Sequence, residues 1–206
     1  MKRCVIISGG EFDALPEIQN EDFVIACDRG YAYAVKENVR PDLVIADFDS
    51  FDGAVDEGIP VKKYPCEKDD TDTMAAVKYA VENGASEVVL CCALGGRADH
   101  AYANIQSCVY AAEHGLKAGI YGRDEEMRII KDGEIVLKKK PGFSLSVFSI
   151  SDRSEGVSIT GTKYPLKDAV VTNSFPIGVS NEWEDEEARI SVKKGILLVI
   201  CSRYER

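Results

Sequence analysis

The sequence contains no run of about 18 apolar residues, so it offers no segment able to cross a bilayer as a helix. It is also poor in positive charge. Lys and Arg number 25 against 35 Asp and Glu, which leaves a formal net charge of −10. A surface of that sign argues against nucleic-acid partners, whose phosphates require a basic face, and against docking on anionic lipid. Histidine is scarce, with two residues, and the seven cysteines show no C-x-x-C spacing, so a structural zinc site is not expected. Cys4, Cys27, Cys91, Cys92 and Cys201 sit in apolar runs. They read as reduced, buried thiols of a cytoplasmic protein. Several motifs are missing as well. There is no G-x-x-x-x-G-K-[ST], no G-x-G-x-x-G, no G-x-S-x-G and no H-E-x-x-H. P-loop binding, dinucleotide binding of the common kind, serine-elbow hydrolysis and zincin chemistry are thereby excluded. The start, "MKRCVIISGGEFD", is basic and then briefly apolar, but it ends in glycines and acids without a cleavage site. It reads as a first strand and not as a signal peptide.

Over the first 122 residues, apolar runs alternate with helical patterns. "CVIIS" (4–8), "FVIAC" (23–27), "LVIAD" (43–47), "EVVLCCAL" (87–94) and "KAGIYG" (117–122) are apolar on both faces, as buried parallel strands are. "TDTMAAVKYAVENG" places Met74, Val77 and Val81 at helical spacing and stops at Gly84. "DHAYANIQSCVYAAEHG" does the same with Ile105, Cys108, Val109 and Ala112 and stops at Gly115. From 123 to 206 the helical period disappears. Short strands follow one another between turn signals, beginning with a hairpin expected at the Asp132-Gly133 turn. The fold expected is therefore an N-terminal α/β domain with a mainly parallel sheet (1–122) and an all-β C-terminal sandwich (123–206).

Carboxylates are concentrated in two places. In "IADFDS", Asp47 and Asp49 stand two apart at the end of an expected strand, so in extended chain they point to one face. Ligands of open α/β sheets bind beyond the carboxyl ends of strands. Two carboxylates there suit a hard cation such as Mg²⁺, or else an ordinary solvated turn. In "CEKDDTDTM", Glu67, Asp69, Asp70 and Asp72 crowd together with Lys68 alone to oppose them. Asp70 or Thr71 serves as a helix cap, which explains one or two of the acids and not four. Like charges at about 4 Å repel by roughly 4 kcal/mol at an effective dielectric of 20, and a divalent metal relieves that repulsion. In "LGGRADHAYAN", Gly95-Gly96 lies between a strand and a helix, an arrangement that lets backbone N–H groups approach an anion. Arg97 adds a fork matched to phosphate oxygens, and Asp99 and His100 share the first helical turn. Gly9-Gly10 supplies a second glycine turn after the first strand. Acids for metal together with Arg97, Lys68 and glycine turns for phosphate describe a metal–nucleotide site. In the β half, Tyr164 between Lys163 and Pro165 is placed to display an aromatic face, and Ser180 and Asn181 offer donors and acceptors. Trp183 and the acids after it read as exposed surface.

Five segments taken in order, "DRGYAYAVKENVRPDLVIADFDS", "KDDTDTMAAV", "LGGRADHAYANI", "GTKYPL" and "GVSN", resemble the thiamine pyrophosphokinase (thiamine diphosphokinase) family across nearly the whole chain. The resemblance implies an α/β domain followed by a β-sandwich, transfer of diphosphate from ATP to the hydroxyethyl group of thiamine with release of AMP, and a need for Mg²⁺. It implies a homodimer in which thiamine lies between the α/β domain of one subunit and the β domain of the other. By the same resemblance Asp47, Asp49 and Asp72 are the metal and catalytic aspartates, with Arg97 assisting at the phosphates. Gly9, Gly10, Asp28, Arg29, Lys68, Asp99, His100 and Asn104 belong to the ATP side. Asp69, Thr71, Tyr164, Ser180 and Asn181 belong to the thiamine side. Two departures stand out: Arg29 replaces the second residue of a family D-G-G, and Ala46 replaces a glycine before D-F-D-S. If position 29 required φ > 0, the backbone there must differ, and Arg29 is then free to reach a phosphate. The other classes these residues allow are a metal-dependent hydrolase of nucleotides or phosphoesters and a non-catalytic thiamine or nucleotide binder.

Overall fold

A computed structural model describes residues 1–46, 55–63 and 70–204. The chain divides into two units, Met1–Arg123 and Asp124–Arg206.

In the first unit, strands β1 (Arg3–Ile7), β2 (Phe23–Cys27), β3 (Leu43–Ala46), β4 (Val61–Lys63), β5 (Glu87–Cys91) and β6 (Lys117–Tyr121) are joined by helices α1 (Gly30–Lys36), α2 (Asp72–Glu82) and α3 (Ala98–Glu113). All the strand pairings are parallel, in the order β6-β5-β1-β2-β3-β4. The apolar runs are continuous because both faces of the sheet are covered. Val5, Ile7, Val24 and Ala26 pack with Ala34 and Tyr31 of α1. The alternating residue Cys27 points the other way, and its thiol donates to the Asp72 carbonyl at the start of α2 (3.6 Å). Thr71 caps α2, its Oγ1 accepting from the Met74 N–H at 3.1 Å, and Gly84 follows the C-cap at φ +70°. Asp70 does not cap. It pairs instead with Lys78 at 2.6 Å. The buried face of α2 is built mostly of small residues, Ala75, Ala76 and Ala80 with Val77, and Met74 and Val81 lie at its margin. Strand β4 and helix α1 were not expected. β4 has three residues and α1 seven, too short to show a period.

The chain order around β1 positions the site. From β1 the chain builds outward through β2, β3 and β4, then returns by α2 to β5 on the other side of β1. The ends of β1 and β5 are therefore the point where the winding reverses, which is where open α/β sheets bind ligands.

The second unit holds two antiparallel sheets. One has the order β12-β9-β14-β7, from Gly178–Asn181, Phe143–Ser149, Ile196–Arg203 and Glu125–Lys131. The other has the order β11-β10-β13-β8, from Leu166–Thr172, Arg153–Thr160, Glu187–Ser191 and Glu134–Lys138. Their inner faces share one core that includes Leu145, Val147, Val157, Ile159, Ile190 and Leu197. The expected hairpin at Asp132-Gly133 is not formed. β7 pairs with β14 and β8 with β13, so that turn carries the chain from one sheet to the other. Ile130 and Ile135, on either side of the turn, both reach the shared core, and a flat hairpin would leave that core one wall short. Trp183 is also buried, its Nε1 donating to the Leu137 carbonyl at 3.2 Å, and only the acids 184–187 are exposed.

The six cysteines among the described residues are free and buried. Burial pushes the Cys4 thiol up to about 12 and the Cys201 thiol to about 11, and it raises Cys27 strongly, which keeps these thiols protonated and inert. No helix among the described residues is long and apolar enough to cross a membrane.

Candidate active site

A cavity of about 710 Å³ opens at the carboxyl ends of β1, β2 and β5. Its walls come from three turns and two helix starts. After β1, Ser8 and Gly10 donate their N–H groups to the Cys91 and Cys92 carbonyls (2.9 and 3.0 Å), which locks the β1 turn against the end of β5. A Cβ on Gly10 would stand 2.5 Å from the Cys92 oxygen, so only glycine fits there. After β5, Gly95 and Gly96 take φ +81° and +65°, conformations that cost other residues strain. Glu11 packs flat on this second turn: a Cβ on Gly95 would meet its Oε2 at 2.8 Å. Glu11 carries no signal in the sequence beyond directly following the first glycine pair.

After β2, Asp28 and Arg29 reach the cavity. Arg29 has φ −56°, an ordinary helical value, and the positive φ of this turn falls on Asp28 instead, at +47°. The left-handed residue of this turn is thus Asp28 and not Arg29, and aspartate tolerates that region better than arginine does. The Arg29 guanidinium donates to the Gly9 carbonyl through Nε and Nη2 (3.2 and 2.7 Å), so it braces the first glycine turn.

The start of α2 contributes Thr71, Asp72 and Thr73, and the Thr73 hydroxyl donates to the Ser8 Oγ at 3.1 Å. The start of α3 contributes Arg97, His100 and Asn104. Arg97 and Asp99 form a two-pronged pair (3.1 and 2.5 Å) that is well exposed, and Asp99 also accepts from the His100 N–H at 2.9 Å. That pairing holds the Asp99 carboxyl below the usual carboxylate range and raises Arg97. Being open to water, the pair contributes little stability. Asn104 is buried, its Nδ2 donating to the Ala93 carbonyl at 2.7 Å, so it fixes the loop that leads into the Gly95-Gly96 turn.

The structure therefore gathers Gly9, Gly10, Asp28 and Arg29 with Thr71 and Asp72, and with Arg97, His100 and Asn104, in one cavity. Asp99 stands beside it through Arg97. Asp47, Asp49, Lys68 and Asp69 lie outside the described residues. Asp28, Asp70 and Asp72 line the cavity and carry carboxylates, the donor type a hard divalent cation takes, with Asp70 engaged by Lys78. Among the described residues no group of three acidic, His or Cys side chains lies close enough to hold an ion.

Tyr164, Ser180 and Asn181 belong to the second unit. Tyr164 is 63% exposed. Ser180 takes φ +56° in a bulge of β12, where the three steps from Gly178 to Asn181 face two steps of β9. Its N–H donates to the Ser146 Oγ at 3.0 Å. Asn181 is buried, and its amide bonds Thr162, both polar groups of the Tyr164 backbone and the Glu182 N–H.

Comparison with known proteins matches residues 15–120 to the catalytic domain of thiamin pyrophosphokinase and residues 133–197 to its vitamin B1 binding domain. The chain is 26% identical to the thiamine pyrophosphokinase of Bacillus subtilis strain 168 over 98% of its own length and 99% of that protein. A crystal structure of thiamine pyrophosphokinase from Bacillus subtilis superposes with a TM-score of 0.87 at 25% identity, covering 99% of this chain and 100% of that one. The Geobacillus thermodenitrificans thiamin pyrophosphokinase gives 0.85 at 26% identity, covering 98% of both chains.

Proposed function

The chain belongs to the thiamin pyrophosphokinase family, and from that premise we propose how its residues carry the reaction. As a thiamine diphosphokinase it transfers the diphosphate of ATP to thiamine, giving thiamine diphosphate and AMP. The cavity at the β1/β5 switch point is where we place the nucleotide. One observation supports this most: a single cavity is lined by two glycine turns, Arg97 and Asp72.

The hydroxyethyl oxygen of thiamine attacks the β-phosphorus, the bond from that phosphorus to the α-phosphate bridging oxygen breaks, and AMP leaves. The alcohol proton passes to a carboxylate, Asp72 or Asp49. The backbone N–H groups of Gly9, Gly95 and Gly96 face the phosphates, while that of Gly10 stays on the Cys92 carbonyl and holds the turn in place. Arg97 exchanges Asp99 for a phosphate oxygen and offsets charge on the transferred group. Asp28, Arg29, Lys68, Asp99, His100 and Asn104 complete the ATP side, with Arg29 and Asn104 holding the turns that meet the phosphates. Asp72, together with Asp47 and Asp49 directly after β3 in sequence, would hold Mg²⁺, and the ion supplies charge neutralisation at the phosphates. Catalysis of this type rests mainly on positioning and electrostatics.

On the thiamine side we place Asp69 and Thr71 at the junction with ATP, and Tyr164 and Ser180 at the rings. The thiazolium is cationic, so an aromatic face attracts it by about 0.5–2 kcal/mol. We assign the first unit to ATP, metal and catalysis and the second to thiamine and dimer formation. The second unit exposes Val170, Phe175, Ile177 and Val179 on β11, β12 and the turn between them. Apolar exposure of that kind favours a partner surface, here a second copy of the chain. The free thiols fit a cytoplasmic setting.

The test is incubation of the pure protein with MgATP and thiamine, followed by mass analysis. AMP and thiamine diphosphate in equal amounts are expected. AMP formed without thiamine would indicate a hydrolase.

A further inference from the structure

We propose that Asn181 is a positioning residue that sets the direction of the Tyr164 ring toward thiamine without itself touching the substrate. This rests on the placement of Tyr164 at the thiamine rings given above.

A side-chain amide has two donor hydrogens and two acceptor lone pairs, and all four are in use at Asn181. Oδ1 accepts from the Tyr164 N–H (3.0 Å) and the Glu182 N–H (3.0 Å). Nδ2 donates to the Tyr164 carbonyl (2.8 Å) and to the Thr162 Oγ1 (3.1 Å). The two backbone N–H donors require an oxygen opposite them, so the amide cannot be turned over. Nothing remains on Asn181 for a ligand, and the side chain is 5% exposed.

What those bonds hold is the Tyr164 backbone from both sides. The N–H and the carbonyl of Tyr164 lie on the two peptide planes that flank its Cα, so fixing both fixes the direction of its Cβ. The neighbouring chain reinforces the clamp: Lys163 donates its N–H to the Glu182 carbonyl (3.0 Å), and Thr162 bridges to Trp183, which is anchored in the core. The ring of Tyr164 then stands mostly in solvent on a rigid base, with the Lys163 Nζ 5.7 Å from its centre. An exposed aromatic that is held before binding loses less conformational freedom when a ligand stacks on it.

The bulge of β12 is what turns Asn181 inward. Its cross-strand partner is Leu145, a fully buried core residue, and directly paired residues share a face. Ser180, at the left-handed position of the bulge, stays exposed.

The test is a double-mutant cycle of Asn181→Ala and Tyr164→Ala in the full-length protein, reading kcat and both Michaelis constants in the thiamine-dependent release of AMP. Asn181→Ala is expected to raise the thiamine constant about three- to fivefold, less than Tyr164→Ala does, while leaving the ATP constant and kcat within about twofold. The double variant is expected to match Tyr164→Ala alone within about twofold, because Asn181 acts only through that ring. If Asn181→Ala does not fold, the same cycle is run with Asn181→Asp, which keeps both acceptor bonds, loses the donor to the Tyr164 carbonyl, and is expected to raise the thiamine constant by a smaller factor. Multiplying effects in the double variant would mean that Asn181 contacts thiamine directly and would overturn the proposal. A parallel loss in kcat and both constants, or an unchanged thiamine constant in Tyr164→Ala, would overturn it as well. Wild-type protein that forms no AMP with thiamine would overturn the functional reading itself, which the other outcomes leave standing.

Discussion

The two units meet the same requirement, satisfying buried polar groups, by opposite means. In Met1–Arg123 the ends of the parallel strands leave backbone N–H groups and charged side chains around an open cavity, with Glu11, Asp28, Asp70 and Asp72 set against Arg29 and Arg97. In Asp124–Arg206 the polar side chains that enter the core are closed on themselves: Ser149 bonds Ser154, and Asn181 bonds its own loops on four sides. Among its exposed residues that unit also carries apolar and aromatic side chains, at Tyr164, Phe175, Ile177 and Val179. A parallel sheet gathers strand ends, and with them uncompensated dipoles and turns, at one edge, which suits phosphate. An antiparallel sandwich satisfies its ladders internally and offers shaped apolar surface, which suits flat rings and a partner chain. On the function proposed above, the difference teaches that chemistry and recognition call for different architectures.

The sharpest way to break this contrast is Asp72→Asn. We expect kcat to fall about 10³-fold, the scale of losing a charge that organises phosphoryl transfer, with no change in helical content. Near wild-type turnover by the AMP assay, with an intact circular dichroism spectrum, would remove the catalytic role from the first unit's acids. Next in size is Gly10→Ala. The Cβ contact with the Cys92 oxygen forces the ends of β1 and β5 apart, at a cost of about 2–3 kcal/mol. Hydrogen exchange should quicken in β1 and β5 and stay as before in β9 and β14; equal change in both units would mean that they do not respond separately.

A smaller effect comes from the Arg3–Asp22 pair of the first unit, joined by bonds of 2.9 and 2.5 Å. The hydrogen bonds from Arg3 hold the Asp22 carboxyl below its ordinary value. Because the folded value is the lower one, the stabilisation is complete above the unfolded carboxylate pKa of about 3.9 and is lost as pH falls through the folded value. Asp22→Asn should therefore cost about 2 kcal/mol at neutral pH, and the difference in urea midpoint should vanish on acidification. A gap that persists in acid would assign the effect to packing. The smallest expected effect is Tyr164→Ala, which should raise the thiamine constant about five- to tenfold and leave the ATP constant alone. An equal rise for ATP would erase the division of labour between the units.

Much of the fold was legible in the chain because buried parallel strands must be apolar on both faces. "CVIIS", "FVIAC" and "EVVLC" announce themselves in that way, and Gly84 and Gly115 mark helix ends by a conformation that glycine alone adopts at no cost. Short elements escaped: β4 has three residues and β12 four, interrupted by a bulge, so neither shows alternation. Of the site, Gly9, Gly10, Asp72 and Arg97 were visible as residue types whose placement at turns suits phosphate and metal. Glu11 and the bracing role of Arg29 were not, because each depends on a neighbour distant in sequence.

The amino-acid order by itself determined which segments are strands, where glycine and aspartate turns interrupt them, and the family to which the chain belongs. Only the tertiary structure decided which turns meet. Gly9-Gly10 and Gly95-Gly96 lie some 85 positions apart, and they share a cavity because β5 pairs with β1. It likewise decided that the Asp132-Gly133 turn crosses between sheets and that Asn181 points inward. In each case burial of an apolar core shared by segments distant in sequence selects the arrangement.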